Sequence, residues 1–86
     1  MYKIIQCRSV EGNPEICNQI NSSNRIKEAR GLQRMQFNSH LDMLARHDFD
    51  AYWDDSDVDQ DNFVLIAYDS DRKIIYSYRV IIEEVV

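Results

Sequence analysis

The residues best suited to chemistry in this chain are its aspartates. Between residues 42 and 61 lie Asp42, Asp48, Asp50, Asp54, Asp55, Asp57, Asp59 and Asp61, opposed only by Arg46, so the segment carries a charge of −7. Within it Asp55, Asp57, Asp59 and Asp61 alternate with Ser56, Val58 and Gln60, and Tyr52 and Trp53 stand close by. Carboxylates at this density repel nucleic acid and anionic lipid, because binding either depends on cations that neutralise phosphate. They attract a hard cation or a basic protein surface. In an extended chain alternate side chains point the same way about 6.6–7 Å apart, comparable with neighbouring phosphates along one nucleic-acid strand. Asp55, Asp57, Asp59 and Asp61 can therefore imitate a short stretch of backbone. Tyr52 and Trp53 supply what acids lack, since rigid aromatics anchor interfaces while charges steer association. The expected partner-binding set is Tyr52, Trp53, Asp54, Asp55, Asp57, Asp59 and Asp61.

The same alternation suits a cation. A loop starting at Asp57 resembles the EF-hand: Asp59 and Asp61 follow in place, Asn62 stands where glycine is expected, and Val64 is apolar. The twelfth place, which should hold a bidentate Glu, is Tyr68, and a strand follows where that family has a helix. A divalent-cation-binding domain using these aspartates is thus the alternative function.

Other chemistry is poorly provided for. Ser39 and His40 adjoin, but His47 is seven residues on, roughly 10.5 Å along a helix, too far to share one small site. Two glycines leave no phosphate-cradling loop, and the Glu-x-x-His and His-x-x-x-His spacings of metalloenzymes are missing. Both histidines are expected on the flank of a helix, facing solvent. Cys7 and Cys17 are too few and too casually spaced for a disulfide framework or for a zinc site, which takes about four ligands. Free thiols follow, with Cys7 a small buried hydrophobe. Tyr76, Tyr78 and Arg79 on a strand invite comparison with single-strand nucleic-acid binders, but the glycine and basic signature of those platforms is missing and the pI near 4.8 opposes it. No catalytic residue, cofactor or metal centre is expected, and the chain is taken as non-enzymatic.

The elements that must position these residues form one small domain, residues 1–86, because 86 residues at 44% hydrophobic and 29% charged support one modest core. The net charge of −5 is split: residues 1–40 carry +3 and residues 41–86 carry −8. No apolar run reaches the roughly 18 residues of a membrane span, and the start lacks the pattern of a signal peptide, so a cytoplasmic protein is expected. Tyr2 to Arg8 reads as a strand ended by the turn residues Glu11-Gly12-Asn13. Asn13-Pro14-Glu15 then predicts a short helix over 14–20, with an Asn cap and Pro at its first position. A second helix runs from about Arg25 to Gln36, with Ile26, Ala29, Leu32 and Met35 on one arc and Lys27, Arg30 and Arg34 nearly opposite. Ser39 caps a third, carrying Leu41, Leu44 and Ala45 inward and fraying over 47–50. Phe63–Asp69 and Ile74–Ile82, joined by Ser70-Asp71-Arg72-Lys73, predict a hairpin. Ile74, Tyr76, Tyr78, Val80 and Ile82 share one face of it. The expected fold is α+β: a three-stranded antiparallel sheet, N-terminal strand plus C-terminal hairpin, with two or three helices on one face.

In its size, acidity, want of a catalytic centre and order of strand, helices and hairpin, the chain resembles the small inhibitors that phages make against bacterial defence nucleases, the anti-CRISPR class. Phe37-Asn38-Ser39-His40-Leu41-Asp42-Met43-Leu44 is similar to the helix opening of barstar, an acidic inhibitor of a basic ribonuclease. Both resemblances imply an acidic face occupying a site built for nucleic acid. The expected function is a non-enzymatic inhibitor or adaptor whose segment 42–61 docks on the basic surface of a nucleic-acid-binding protein. A homodimer or larger homo-oligomer is the third expectation, built either by the basic helix stripe meeting the Asp run of a second copy or by pairing of an open hairpin edge.

Overall fold

In the computed structural model, which describes residues 1–46 and 58–86, every strand pairs antiparallel with its neighbours. Strands β1 (Tyr2–Val10) and β2 (Ile16–Ser23) lead into one long helix α1 (Ile26–Arg46), followed by β3 (Val58–Asp59), β4 (Val64–Tyr68) and β5 (Ile74–Glu84). The sheet order is β2-β1-β5-β4-β3. This corrects the three-stranded sheet with two or three helices: the sheet has five strands, and the described residues contain one helix. The C-terminal hairpin and its pairing with the N-terminal strand are present as expected.

The largest departure is β2, where a helix was expected over 14–20. Asn13 N donates to Val10 O at 2.9 Å, and Gly12 at φ 79° supplies the left-handed residue that closes the turn. The chain therefore reverses before Pro14 can start a helix, and β2 fills the edge that β1 leaves open. An extra residue, Ile20, breaks the register between Ile4↔Asn21 and Ile5↔Gln19. Simple alternation from Ile16 would aim Ser23 away from the helix; the bulge returns it to the helix side. There Ser23 Oγ accepts from Arg25 N at 3.1 Å at the start of α1.

Helices expected over 25–36 and from Ser39 onward are one continuous helix. Its buried residues Ala29, Phe37, His40 and Leu44 lie on one helical face, so no break falls at Asn38 or Ser39, which are exposed. Of the residues expected inward, Ile26 and Ala45 are exposed and Met35 is 60% exposed. The helix packs on the face of the sheet carrying Ile4, Leu65, Tyr78 and Val80, and these close one hydrophobic core with Phe37 at its centre. Phe37 stacks on Tyr78 with ring centroids 6.1 Å apart and meets Phe63 edge-on at 5.8 Å. Cys7 and Cys17, expected as free thiols, are directly opposite each other in the β1–β2 register and form a disulfide. The β1–β2 turn brings these two residues, ten apart in the chain, face to face, which a helix over 14–20 would not do. Among the described residues, no helix is long and apolar enough to cross a membrane.

Candidate functional site

Of the seven expected partner-binding residues, Asp59 and Asp61 fall in the described structure; Tyr52, Trp53, Asp54, Asp55 and Asp57 lie outside the described residues, as does His47. Asp59 ends β3 and organises the turn to β4. Its Oδ1 accepts from the backbone N–H of Asp61 at 3.0 Å and of Asn62 at 3.1 Å, and its Oδ2 accepts from Asn62 Nδ2 at 2.8 Å. These donors favour the charged carboxylate, the Asn62 side chain most, and hold its pKa below the ordinary value. The chain is thus turned, not extended, between Asp59 and Asp61, so Asp61 does not take the alternate spacing from Asp59 that is expected of a phosphate mimic. The cause is local: a short Asp side chain satisfies the backbone N–H groups two and three residues on. Phe63 leaves the turn at φ 55°, a strained conformation for an aromatic residue, offset by its ring packing on Phe37 and by Val80 N donating to its carbonyl at 3.1 Å.

Asp61 lines a groove of about 420 Å³ with Arg30, Gln33, Arg34, Gln60, Asn62 and Phe63. Arg30 and Arg34 of the basic stripe and Asp61 at the end of the acidic run therefore line one groove. No ion pair joins them among the described residues. Among the described residues the ion pairs are Arg46–Asp42 at 3.2 Å, Lys73–Glu11 at 2.7 Å and Arg79–Glu15 at 2.7 Å. Each is exposed and adds little stability, yet the first matters for charge, because it engages the one Arg or Lys within residues 42–61.

Sequence reasoning missed a polar cluster inside the core. His40, expected on the surface, is 8% exposed. Its ring stacks on Tyr78 at 3.6 Å between centroids, and its Nε2 shares a 2.6 Å hydrogen bond with the Tyr76 hydroxyl. Tyr78 donates to Gln6 Oε1 at 3.0 Å, Gln36 Nε2 donates to both, and Gln33 Nε2 donates to Val80 O at 2.8 Å. The signal was available: Gln33, Gln36 and His40 fall at helical spacing among Ala29, Phe37 and Leu44, and polar residues on a core face demand partners. Burial, then the Arg8 charge, lowers His40 to about 4, and burial raises Tyr76 to about 12. Neither group exchanges protons near neutrality, so the pair ties the helix to β5 without the poise of an acid–base catalyst. Among the described residues, the metal-ligating side chains that come together are Cys7, Glu15 and Cys17.

No family model matches the sequence, and no curated protein or solved structure matches the chain.

Proposed function

We propose that this protein is a non-enzymatic inhibitor or adaptor that places its acidic segment, residues 42–61, on the basic, nucleic-acid-binding surface of a partner in the cytoplasm. In the sharpest form of the reading the partner is a defence nuclease and the aspartates stand in for phosphates. One observation carries it. The segment's sole cation, Arg46, is held by Asp42, and neither Asp59 nor Asp61 enters an ion pair among the described residues. Asp59 and Asp61 thus carry charge that no ion pair among the described residues neutralises, with Arg30 and Arg34 lining the same groove as Asp61, and that charge supports the steering of a cationic partner. Asp59 contributes charge and also shape, by setting the turn that presents Asp61. Tyr52 and Trp53 belong to the reading by residue type alone.

The test is capture of partners from bacterial lysate on immobilised protein, at low and high ionic strength. A second bait carries Asn at Asp54, Asp55, Asp57, Asp59 and Asp61. Asn at residue 59 keeps the turn-forming side-chain carbonyl, so the variant removes charge and leaves shape. The expected result is a partner held by the native chain at low salt, released at high salt and missing from the variant. A partner retained equally by both baits would remove the electrostatic reading.

A second reading, the homodimer, is favoured by β2, whose eight residues Ile16–Ser23 contain no charge and whose outer edge has no partner among the described residues. Sedimentation of the chain over a range of concentrations decides it, and a monomer throughout removes it.

A further inference from the structure

On the face of the sheet that α1 does not cover, three elements converge. Cys7 lies mid-strand in β1 and is 1% exposed; Cys17 faces it from β2; and Glu15, two residues before Cys17, sets its Oε1 3.6 Å from Cys17 Sγ. The two sulfurs and a Glu15 oxygen all lie within 4.8 Å of one another. Arg79, the β5 partner of Cys7, grips the same carboxylate through Nη2–Oε1 at 2.7 Å and Nε–Oε2 at 3.2 Å. The cluster has one donor fixed in the sheet, two open to solvent, and a cation already seated on the carboxylate.

We propose that reduction of the disulfide converts Cys7, Cys17 and Glu15 into a binding site for a thiophilic divalent cation of the zinc class. A thiol reductant opens it by exchange: the Cys7–Cys17 bond breaks, each sulfur takes a proton, and two reductant thiols are oxidised to one disulfide. The cation then displaces both protons and forms two metal–sulfur bonds, the Glu15 carboxylate supplies an oxygen, and water completes a tetrahedral set. Thiolates select zinc over the hard cations calcium and magnesium. The Cα atoms of the pair are 4.1 Å apart, so both sulfurs reach one ion at about 2.3 Å by side-chain rotation, with the strands still paired. Arg79 is a competitor in this scheme, because its guanidinium occupies both oxygens of the carboxylate that the metal needs. Two cysteines alone are too few for such a site; the strand pairing and the Glu15 side chain make up the donor set.

Cobalt(II) titration of the full chain, reduced with a phosphine that does not itself bind the metal as a thiol would, tests the site. Reduced protein should develop thiolate-to-cobalt charge-transfer absorption and strong tetrahedral d–d bands, which zinc then abolishes, while the oxidised chain shows neither. Cys17→Ser should lose the charge-transfer absorption. Glu15→Gln, at the surface, should keep it but weaken binding about tenfold or more, and Arg79→Ala should tighten binding severalfold. Equal binding by reduced and oxidised chains overturns the proposal. So does unchanged affinity in Glu15→Gln and Arg79→Ala, which is also the outcome if the reduced chain unfolds and its thiols act alone.

Discussion

The two hairpins of the sheet are held by different physics. In β4–β5 the inward residues Leu65, Tyr78 and Val80 are buried in one cluster with α1, and each contributes about 1.5–3 kcal/mol by leaving water. In β1–β2 the outer strand is nearly all exposed, with Ile16 at 57%. What keeps β2 in place is the backbone ladder to β1, the Cys7–Cys17 bond and the Ile20 contact with the core. A core-held hairpin is written in hydrophobic alternation. A clasped one is written in a few residues far apart in the chain, and is correspondingly hard to see.

Breaking each kind of support should give graded results. Phe37→Ala removes the ring that touches both Phe63 and Tyr78 and should cost about 3–5 kcal/mol in urea denaturation; a loss below about 1 kcal/mol would mean the packed centre is not what holds β4–β5. Cys17→Ser should cost about 2–4 kcal/mol, since the bond closes a loop across ten residues. Hydrogen exchange should place that loss in β2, with β4–β5 still protected, and equal loss in both hairpins would erase the distinction. The buried imidazole gives a pH signature. His40 is lowered from 6.5 to about 4, so above 6.5 it is neutral in both states and costs nothing. Between 6.5 and about 4 the unfolded chain binds the proton and the fold does not, so stability should fall with pH by about 2–3 kcal/mol. His40→Gln, which can still meet the Tyr76 hydroxyl, should flatten that slope; an unchanged slope would place the acid sensitivity elsewhere. The smallest effect is a gain. Gly31 sits within the helix with nothing among the described residues within 4 Å of where a Cβ would stand, beyond the helix's own backbone, so Gly31→Ala should add about 0.5–1 kcal/mol by thermal melting.

Legibility in the sequence followed the same division. Phe63–Asp69 and Ile74–Ile82 show the β-branched, aromatic pattern of strands, and β4 and β5 lie there. Asn13-Pro14-Glu15 carries a sound local helix signal, but an open edge on β1 offers a full ladder of hydrogen bonds, and the nonlocal pairing won. In α1 the buried stripe includes Gln33, Gln36 and His40, so a search for apolar residues alone saw two short helices where one face runs unbroken. The polar members are satisfied only by Val80 O, Gln6, Tyr78 and Tyr76 from other elements. The acidic run was visible from composition, yet Asp59 proved to be the residue that bends it, through hydrogen bonds to its own neighbours.

Composition and local pattern alone determined the acidic segment with its charge of −7, the C-terminal hairpin and the helical character of residues 26–36, because each depends on residues near one another in the chain. Tertiary structure alone decided that residues 16–23 are a strand, that Cys7 meets Cys17 and Glu15, and that His40 is buried against two tyrosines. Each of those depends on backbone register between distant segments, and register is set by which edges pair and which faces a single helix can cover.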